Sequence, residues 1–463
     1  MSGTFHVHTF GCQMNVHDSD RMSELLRAHG WNEVDQAAAD VIVLNTCSVR
    51  EKAEQKLRSE LGRLAAMKRS KRDLVLVVAG CVAQQEGERL LSREPALDLV
   101  IGPDNIEELP ALLEHARAGG PPKTHAVFDV DEPRFLAAKP EPGRTPVSAF
   151  VTTMKGCDER CSFCIVPYTR GPERYRRADE IVEECKRFVA AGSREIVLLG
   201  QTVDSFRDDA LPAPESSDPD ESQFPRLLRR IAIEVPGLLR LRYTSPHPRH
   251  ATPSLVRAHA ELDVLARHVH LPVQSGSDAV LRRMIRRYTR AEYIERANRL
   301  KSARRGLTMS TDVIVGFPGE TDAQFEETLS LVREVGFVSL FAFKYSPRPY
   351  TPALKLKGEL PEDVKDARLA ALLALGNAQT EAHLASLVGT KQRVLVTGRS
   401  RTNDTYEGRT EANEIVHIIG APEIGALVEV EVTERFKHSL AAKMTNAPVV
   451  KSTSRAPVHL PIL

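Results

Sequence analysis

The sequence of 463 residues lacks the features that mark disulfide-rich secreted proteins and membrane proteins. Aromatic residues make up only 5%, and seven cysteines are too few for the disulfide framework of a small secreted domain. No apolar run approaches the ~20 residues of a membrane-spanning helix, and residues 1–6 lack a basic region and an apolar region. We therefore expect a cytoplasmic protein without a membrane segment.

Charge of either sign is also not in excess, because 63 basic residues face 62 acidic ones. The whole-chain charge therefore neither supports nor excludes a nucleic-acid partner, and local clusters must decide. The densest cluster is 282–305, with ten basic residues and two glutamates, which we predict to be one helix. It is either a solvated helix face or a phosphate-binding surface, with Arg286 and Arg287 as candidate RNA contacts.

The cysteines that are present are not scattered. Three lie in the segment CDERCSFC at 157–164, and one reverse turn can direct all three sulfurs toward one point. A zinc site usually adds a distant second pair, and none follows here. Three thiolates instead fit a [4Fe–4S] cluster with one open iron; the alternative is a degenerate zinc loop or a chance cluster. We call Cys157, Cys161 and Cys164 the loop thiols.

Three more cysteines follow predicted strands in the N-terminal region. Apolar runs at 5–10, 41–46, 74–80 and 97–101 alternate with helical patterns, which predicts an α/β domain with a parallel sheet. Cys12, Cys47 and Cys81, which we call the sheet-edge thiols, come directly after the first three runs. Because such sheets bind ligands at the carboxyl ends of their strands, these thiols could converge on a second cluster. The alternative is three buried core thiols.

The remaining pattern predicts two further domains. Six strand-like runs between 149 and 344, separated by helical patterns, indicate an open, partial (β/α)6 barrel whose active site lies at the strand carboxyl ends. Cys185 lies on a helical apolar face there and is predicted to be a buried structural thiol. Short alternating strands then predict a small β-barrel. The predicted parts are 1–117, a linker at 118–147, 148–385, 386–445 and a flexible tail at 446–463.

These motifs resemble those of a known family. CxxxCxxC, with Phe163 before its last cysteine, resembles the radical S-adenosylmethionine (SAM) enzymes, and the flanking MKG at 154–156 and IVPYTRG at 165–171 are similar to the methylthiotransferase branch. GCQMN at 11–15 and NTCSVR at 45–50 resemble the auxiliary-cluster domain of that branch. EGRT at 407–410 is similar to a TRAM domain, a module associated with RNA binding.

The resemblance implies cofactors and site residues. It implies two [4Fe–4S] clusters, a catalytic one on the loop thiols and an auxiliary one on the sheet-edge thiols, with SAM at the open iron of the first. The implied SAM contacts are Gly200, Gln201, Gln274, Ser275, Asp312, Gly316 and Glu320. Thr202, Asp204 and Pro246 depart from the familiar motif. Arg393 and Arg409 are the implied RNA contacts of the C-terminal barrel.

The implied function is methylthiolation of C2 of N6-isopentenyladenosine (N6-dimethylallyladenosine) at position 37 of the tRNA anticodon loop, and GCQMN favours this branch. The auxiliary cluster would donate the sulfur and a second SAM the methyl group. The implied partners are tRNA and a reductant such as flavodoxin or ferredoxin, acting on a monomer. Three alternatives stay open: an RNA-binding protein with structural or sensory clusters, and the branches that modify threonylcarbamoyladenosine or an aspartate of a ribosomal protein.

Overall fold

The computed structural model describes residues 3–49, 51–131, 133–400 and 405–445. The predicted tail at 446–463 lies outside these residues. Across the described residues, no helix combines the length and apolar character needed to cross a membrane.

The N-terminal region is the predicted parallel sheet flanked by helices. Its elements are β1 Thr4–Phe10, α1 Gln13–Ala28, β2 Asn32–Glu33, β3 Val41–Thr46, α2 Glu51–Ser70, β4 Val75–Ala79, α3 Cys81–Glu86, α4 Glu88–Arg93, β5 Leu99–Ile101, a 3-10 turn Pro103–Glu108, α5 Leu109–Arg117 and β6 Lys123–His125. Every residue of β3 and β4 is buried, as continuous apolar runs require when helices cover both faces. The strand β6 lies inside the stretch predicted to be a linker.

The strand order in this sheet is β2-β1-β3-β4-β5-β6, with every pairing parallel. The chain leaves β1 toward β2 on one side and continues with β3 on the other, so the order reverses between β1 and β3. Ligands of open α/β sheets bind at such a reversal, outside the carboxyl ends of the strands. The loops after β1 and β3, which carry Cys12 and Cys47, begin at this position.

The central region contains the six predicted barrel strands. Its strands are β7 Ser148–Thr152, β8 Met154–Lys155, β9 Arg174–Tyr175, β10 Glu195–Leu199, β11 Arg240–Tyr243, β12 His268–His270, β13 Thr308–Val315 and β14 Ser339–Lys344. Parallel sheets β7-β10-β11 and β12-β13-β14 are joined by a bridge between Leu241 and Leu265. The described strands therefore form an open barrel wall, as predicted, while β8 and β9 form a separate hairpin.

Helices and short 3-10 turns separate these strands along the chain. They are α6 Val166–Thr169, α7 Ala178–Ala190, α8 Phe224–Glu234, α9 Pro253–Glu261, α10 Asp278–Arg283, α11 Arg290–Ala303 and α12 Asp322–Val335, with 3-10 turns Val203–Ser205, Pro248–His250 and Pro352–Lys355. Cys185 on α7 is fully buried in the apolar core between helices and strands. The seventh cysteine is thus a core thiol, as its helical spacing predicted.

The basic stretch 282–305 is not the single helix that we predicted. α10 ends at Arg283, and α11 begins after Thr289, whose side chain accepts a hydrogen bond from the backbone of Glu292 in a capping box. Between them Ile285 has φ of 56°, a left-handed conformation that an α-helix does not accommodate. Arg286 and Arg287 therefore lie on a connecting turn.

The long helix α13, Glu362–Leu387, leads into a closed five-stranded barrel. Its strands are β15 Lys391–Arg399, β16 Tyr406–Thr410, β17 Ile415–Ile419, β18 Leu427–Arg435 and β19 Ser439–Met444. Near the amino ends of the central strands, Arg242 Nη2 donates to the carbonyl of Thr410 at 3.1 Å, and the Arg267 amide donates to that of Glu411 at 3.0 Å. The small barrel therefore docks opposite the edge that carries the loop thiols.

Candidate active site

The hairpin β8–β9 closes the loop that carries the loop thiols. The Cys157 amide donates to the carbonyl of Gly171 at 3.1 Å, which joins the two ends of the loop. Gly156 has φ of +77°, and a Cβ there would overlap the carbonyl oxygen of Pro172. Only glycine permits this turn, so MKG before the cysteines is a geometric requirement for closing the loop.

Two of the loop thiols have a polar partner from another segment. Cys157 Sγ lies 3.0 Å from Thr202 Oγ1, and Arg286 Nη1 donates to Cys161 Sγ at 3.2 Å. Burial raises the pKa of Cys157, and burial followed by the neighbouring Cys161 raises the pKa of Cys164 to about 12. Because metal ligation requires thiolates, these sulfurs would release protons when they bind iron.

The sheet-edge thiols come together at the carboxyl ends of β1, β3 and β4. A hydrogen bond between Cys12 and Cys47 lowers the pKa of Cys12 to about 6 and raises that of Cys47. Burial raises the pKa of Cys81, and the charge of Cys12 adds to that effect. Three residues separated by more than thirty positions therefore interact at one place.

Two buried asparagines hold the loops that carry these thiols. Asn15 Nδ2 donates to Asn45 Oδ1 at 3.0 Å, and Asn45 Nδ2 donates back to the Asn15 carbonyl at 2.8 Å. Gly11, at φ of +135°, leaves no room for a Cβ beside Cys47. The motifs GCQMN and NTCSVR are thus joined by the hydrogen bonds between Asn15 and Asn45.

The two thiol sets both lie at the interface between the N-terminal and central regions, which we call the seam. Arg170 follows the loop thiols in sequence, yet its Nε donates to Cys81 Sγ at 3.2 Å and its Nη2 to Asp18 Oδ2 at 2.6 Å. Helix α3, which begins at Cys81, packs against α6, which begins two residues after Cys164. Met14 completes the seam by packing against Val197 and Leu199.

The predicted SAM contacts fall into two groups along the carboxyl edge of the barrel strands. Gln201, next to Gly200, accepts the Gly156 amide at 2.6 Å and so contacts the start of the loop. Gln274, with φ of +70°, donates its amide to the carbonyl of Asp312 at 2.9 Å.

The rest of the second group is tied into the fold. Ser275 Oγ is buried 3.3 Å from Thr328 Oγ1, and Asp312 lies 3.4 Å from His270 Nε2. Glu320 accepts the Gly316 amide at 2.7 Å and pairs with Arg368 at 2.8 Å, so its carboxylate closes the turn that carries Gly316.

The motif departures occupy a buried polar site near Cys157. Asp204 Oδ1 accepts the His247 amide at 2.8 Å. Asp204 Oδ2 and His247 Nε2 are buried and have no hydrogen-bond partner among the described residues. Burial raises the pKa of Asp204 and lowers that of His247. Because orphaned buried polar atoms are costly, this site fits a polar cofactor group such as the amino acid part of SAM.

The donor sets fit clusters better than single ions. In the described ranges, no three cysteine, histidine or acidic side chains are placed to share one metal ion. A cubane cluster distributes three cysteines over three irons and so accepts a wider spacing. Both thiol sets therefore suit a cluster.

The predicted RNA contacts differ in accessibility. Arg286 is directed inward to Cys161, whereas Arg287 is exposed and has no ion pair within the described part of the chain. Arg393 is exposed and lies 3.2 Å from Glu411. Arg409 is half-buried, and its Nη1 donates to the carbonyl of Asn413 at 3.2 Å. Arg287 and Arg393 are thus the ones placed to meet solvent.

Sequence reasoning missed Arg170 and a pair of aromatic residues. Tyr168 on α6 and Tyr350 have ring centroids 5.9 Å apart and expose 41% and 51% of their surface beside the loop thiols. Tyr350 also bonds to Arg89 of α4, so the pair spans the seam. Arg170 lies in the motif IVPYTRG at 165–171, which could have marked it as a site residue, but no local pattern indicates that it contacts Cys81.

Three parts of the chain match known families. Residues 4–102 match the family described as Uncharacterized protein family UPF0004, residues 151–332 match the Radical SAM superfamily, and residues 385–445 match the TRAM domain.

Three relatives that align with nearly the whole chain carry the name tRNA-2-methylthio-N(6)-dimethylallyladenosine synthase. The protein of Sorangium cellulosum is 62% identical over 96% of this chain and 93% of its own length. Those of Acidithiobacillus ferrooxidans and Geobacter metallireducens are each 45% identical, over 97% and 95% of this chain and 98% of their own lengths.

Solved structures share the fold at low identity. The radical S-adenosylmethionine methyltransferase TsrM from Kitasatospora setae, solved with cobalamin and a [4Fe–4S] cluster, superposes with a TM-score of 0.54 and 15% identity over 76% of this chain and 74% of that one.

Proposed function

Since this chain belongs to the tRNA-2-methylthio-N(6)-dimethylallyladenosine synthase family, we propose that the loop thiols hold a catalytic [4Fe–4S] cluster and the sheet-edge thiols an auxiliary one. The chain is a tRNA methylthiotransferase that uses SAM and [4Fe–4S] clusters. It forms 2-methylthio-N6-dimethylallyladenosine, so its substrate is a tRNA nucleoside and not an aspartate of a ribosomal protein. When bound, SAM and the clusters supply radical hydrogen removal at C2 and the methylthio group, chemistry that protein acids and bases do not perform readily.

The single observation that carries the site assignment is the shared seam. Arg170 follows the loop thiols in sequence and contacts Cys81 and Asp18 of the other domain. A base held at this seam would face both thiol sets at once. The sheet-edge thiols are therefore placed to present sulfur to the carbon that the loop site activates.

The substrate base must leave the anticodon stack to reach this seam. The rings of Tyr168 and Tyr350 are exposed there, and aromatic faces stack on nucleobases with little sequence preference. Arg287 and the small barrel, through Arg393, would hold phosphates of the anticodon arm. This arrangement supports a tRNA anticodon loop carrying N6-isopentenyladenosine as the substrate.

The remaining partners follow from the chemistry. A radical SAM cluster must receive single electrons, so we propose a flavodoxin or ferredoxin as reductant. One chain carries both thiol sets and an RNA-binding module, which supports action as a monomer. Its tRNA substrate supports a cytoplasmic location.

Nucleoside mass spectrometry tests the proposal. tRNA from cells lacking this protein should contain N6-dimethylallyladenosine without the 2-methylthio group, and wild-type protein should restore it. Anaerobically reconstituted wild-type protein should hold about eight irons, four for each [4Fe–4S] cluster. A Cys→Ala change at all three loop thiols, or at all three sheet-edge thiols, should leave about four irons and restore no modification. Zinc in place of iron in all three proteins would reject the cluster assignment.

A further inference from the structure

Each thiol set has one arginine bonded to one of its sulfurs, and Arg170 is buried whereas Arg286 is half-buried. Arg170 donates through Nε to Cys81 Sγ at 3.2 Å, and Arg286 donates through Nη1 to Cys161 Sγ at 3.2 Å. The first contact crosses the domain seam, and the second crosses from the turn after α10 to the loop.

The two arginines are held rigidly. Arg170 is anchored by Asp18 at 2.6 Å, and its own carbonyl accepts a hydrogen bond from Arg174 at 2.6 Å. Arg286 donates to the Pro272 carbonyl at 3.2 Å and to the Tyr288 hydroxyl at 2.9 Å. Five of the six guanidinium nitrogens of these two side chains donate to protein atoms, and these bonds direct both guanidinium groups toward the thiols.

On the basis of the cluster assignment proposed above, we propose that Arg170 and Arg286 are positioning residues that set the reduction potentials of the two clusters separately. Arg170 would act on the auxiliary cluster through Cys81. Arg286 would act on the catalytic cluster through Cys161.

The sign of the effect follows from charge. Reduction adds one negative charge to a cluster, and a guanidinium stays protonated throughout. Hydrogen bonds to ligand sulfurs and the net charge around a cluster are established determinants of its potential. A cation bonded to a ligand sulfur therefore stabilises the reduced state, and its removal should move the potential to a more negative value.

The loss of each arginine should shift the midpoint potential of its cluster by a different amount. The charge of Arg170 is partly neutralised by Asp18, with which it forms a buried ion pair. Arg286 has no carboxylate partner among the described residues. The loss of Arg286 should therefore shift its cluster more than the loss of Arg170 shifts the other.

The test is a potentiometric titration followed by electron paramagnetic resonance on full-length, anaerobically reconstituted protein. Each arginine is changed in two backgrounds, one lacking the loop thiols and one lacking the sheet-edge thiols, so that each sample holds one cluster. Arg170→Gln should lower the midpoint of the auxiliary cluster only. Arg286→Gln should lower that of the catalytic cluster only, by at least a tenfold change in the reduced-to-oxidised ratio, which is about 59 mV for one electron.

Lysine variants and iron analysis separate the outcomes. Arg170→Lys and Arg286→Lys keep the charge and should recover part of each shift. Unchanged midpoints in glutamine variants with full iron content would overturn the inference and leave the cluster assignment standing. The same holds if one arginine substitution shifts the midpoints of both clusters equally. Absence of iron from the two parent backgrounds would instead reject the cluster assignment itself.

If the Arg170→Gln variant loses iron, Asp18→Asn provides a second test of the auxiliary cluster. It leaves the guanidinium in place and removes its counter-charge, so the auxiliary midpoint should rise. An unchanged midpoint in that variant would also overturn the inference.

Discussion

The hydroxyl of Thr202 lies 3.0 Å from the sulfur of Cys157, at a position where the familiar motif has another residue. A hydroxyl donor to a thiolate stabilises the charged ligand, but unlike a guanidinium it adds no positive charge beside the cluster. Thr202→Val should therefore lower the midpoint of the catalytic cluster, and by less than Arg286→Gln does. Thr202→Ser keeps the hydroxyl and serves as the control in the same titration. An equal loss in the serine variant would mean that the methyl group, not the hydroxyl, matters.

Phosphate contact is the role that the structure leaves open to Arg287 and Arg393. Either change to Ala should weaken tRNA binding and reduce the slope of log affinity against log salt concentration by about one. Arg299→Ala is the matched control for Arg287→Ala, because Arg299 is also exposed but is already paired with Glu295 on α11. The measurement is a binding titration at several salt concentrations. If the control and the two test variants behave alike, the basic surface is a solvated face.

Stacking on the seam aromatics can be measured apart from charge. Tyr168→Ala or Tyr350→Ala should weaken productive tRNA binding by about 1–3 kcal/mol, the usual contribution of one stacked base. The phenylalanine variants keep the ring and should bind nearly as wild type, even though Tyr350→Phe loses its hydroxyl contact with Arg89. The salt slope should stay unchanged in all four variants. Equal losses in the alanine and phenylalanine variants would assign the effect to hydroxyl contacts.

The sheet and the barrel wall were predictable because short apolar segments, such as the Val, Ile and Leu runs of β3, β4 and β10, alternate with helical patterns and are followed by motif residues. Cys12, Cys47 and Cys81 could be placed at one edge for the same reason, since parallel strands end together. Local spacing also identified Cys185 as a core thiol.

What could not be predicted depends on contacts distant in sequence or on local geometry. Nothing near Arg170 indicates that its partner is Cys81, 89 positions earlier. The left-handed turn at Ile285 broke a pattern that looked continuously helical. The strands β2 and β6 have two and three residues, too few for a period-2 pattern to show.

Division of labour between the two thiol sets gives the sharpest prediction. The sheet-edge thiols belong to a separate sheet with its own apolar core, so their loss should leave the loop site folded. A variant with Cys12, Cys47 and Cys81 changed to Ala should still cleave SAM to 5′-deoxyadenosine when given reductant. It should form no methylthiolated adenosine, because its sulfur source is gone.

The loop variant is its counterpart, since Cys157, Cys161 and Cys164 changed to Ala should abolish SAM cleavage while the auxiliary iron stays bound. Deoxyadenosine and modified nucleoside should be measured in the same anaerobic reaction, with tRNA from cells that lack this protein. Deoxyadenosine without modified nucleoside is the result expected for the variant that lacks the sheet-edge thiols. It would mean that electrons still reach the loop site and that only the transfer of sulfur fails. If the first variant still methylthiolates tRNA, the sheet-edge thiols are core cysteines and the sulfur comes from elsewhere. If it cleaves no SAM although its loop cluster is intact, the two sites depend on each other through the seam that Arg170 forms.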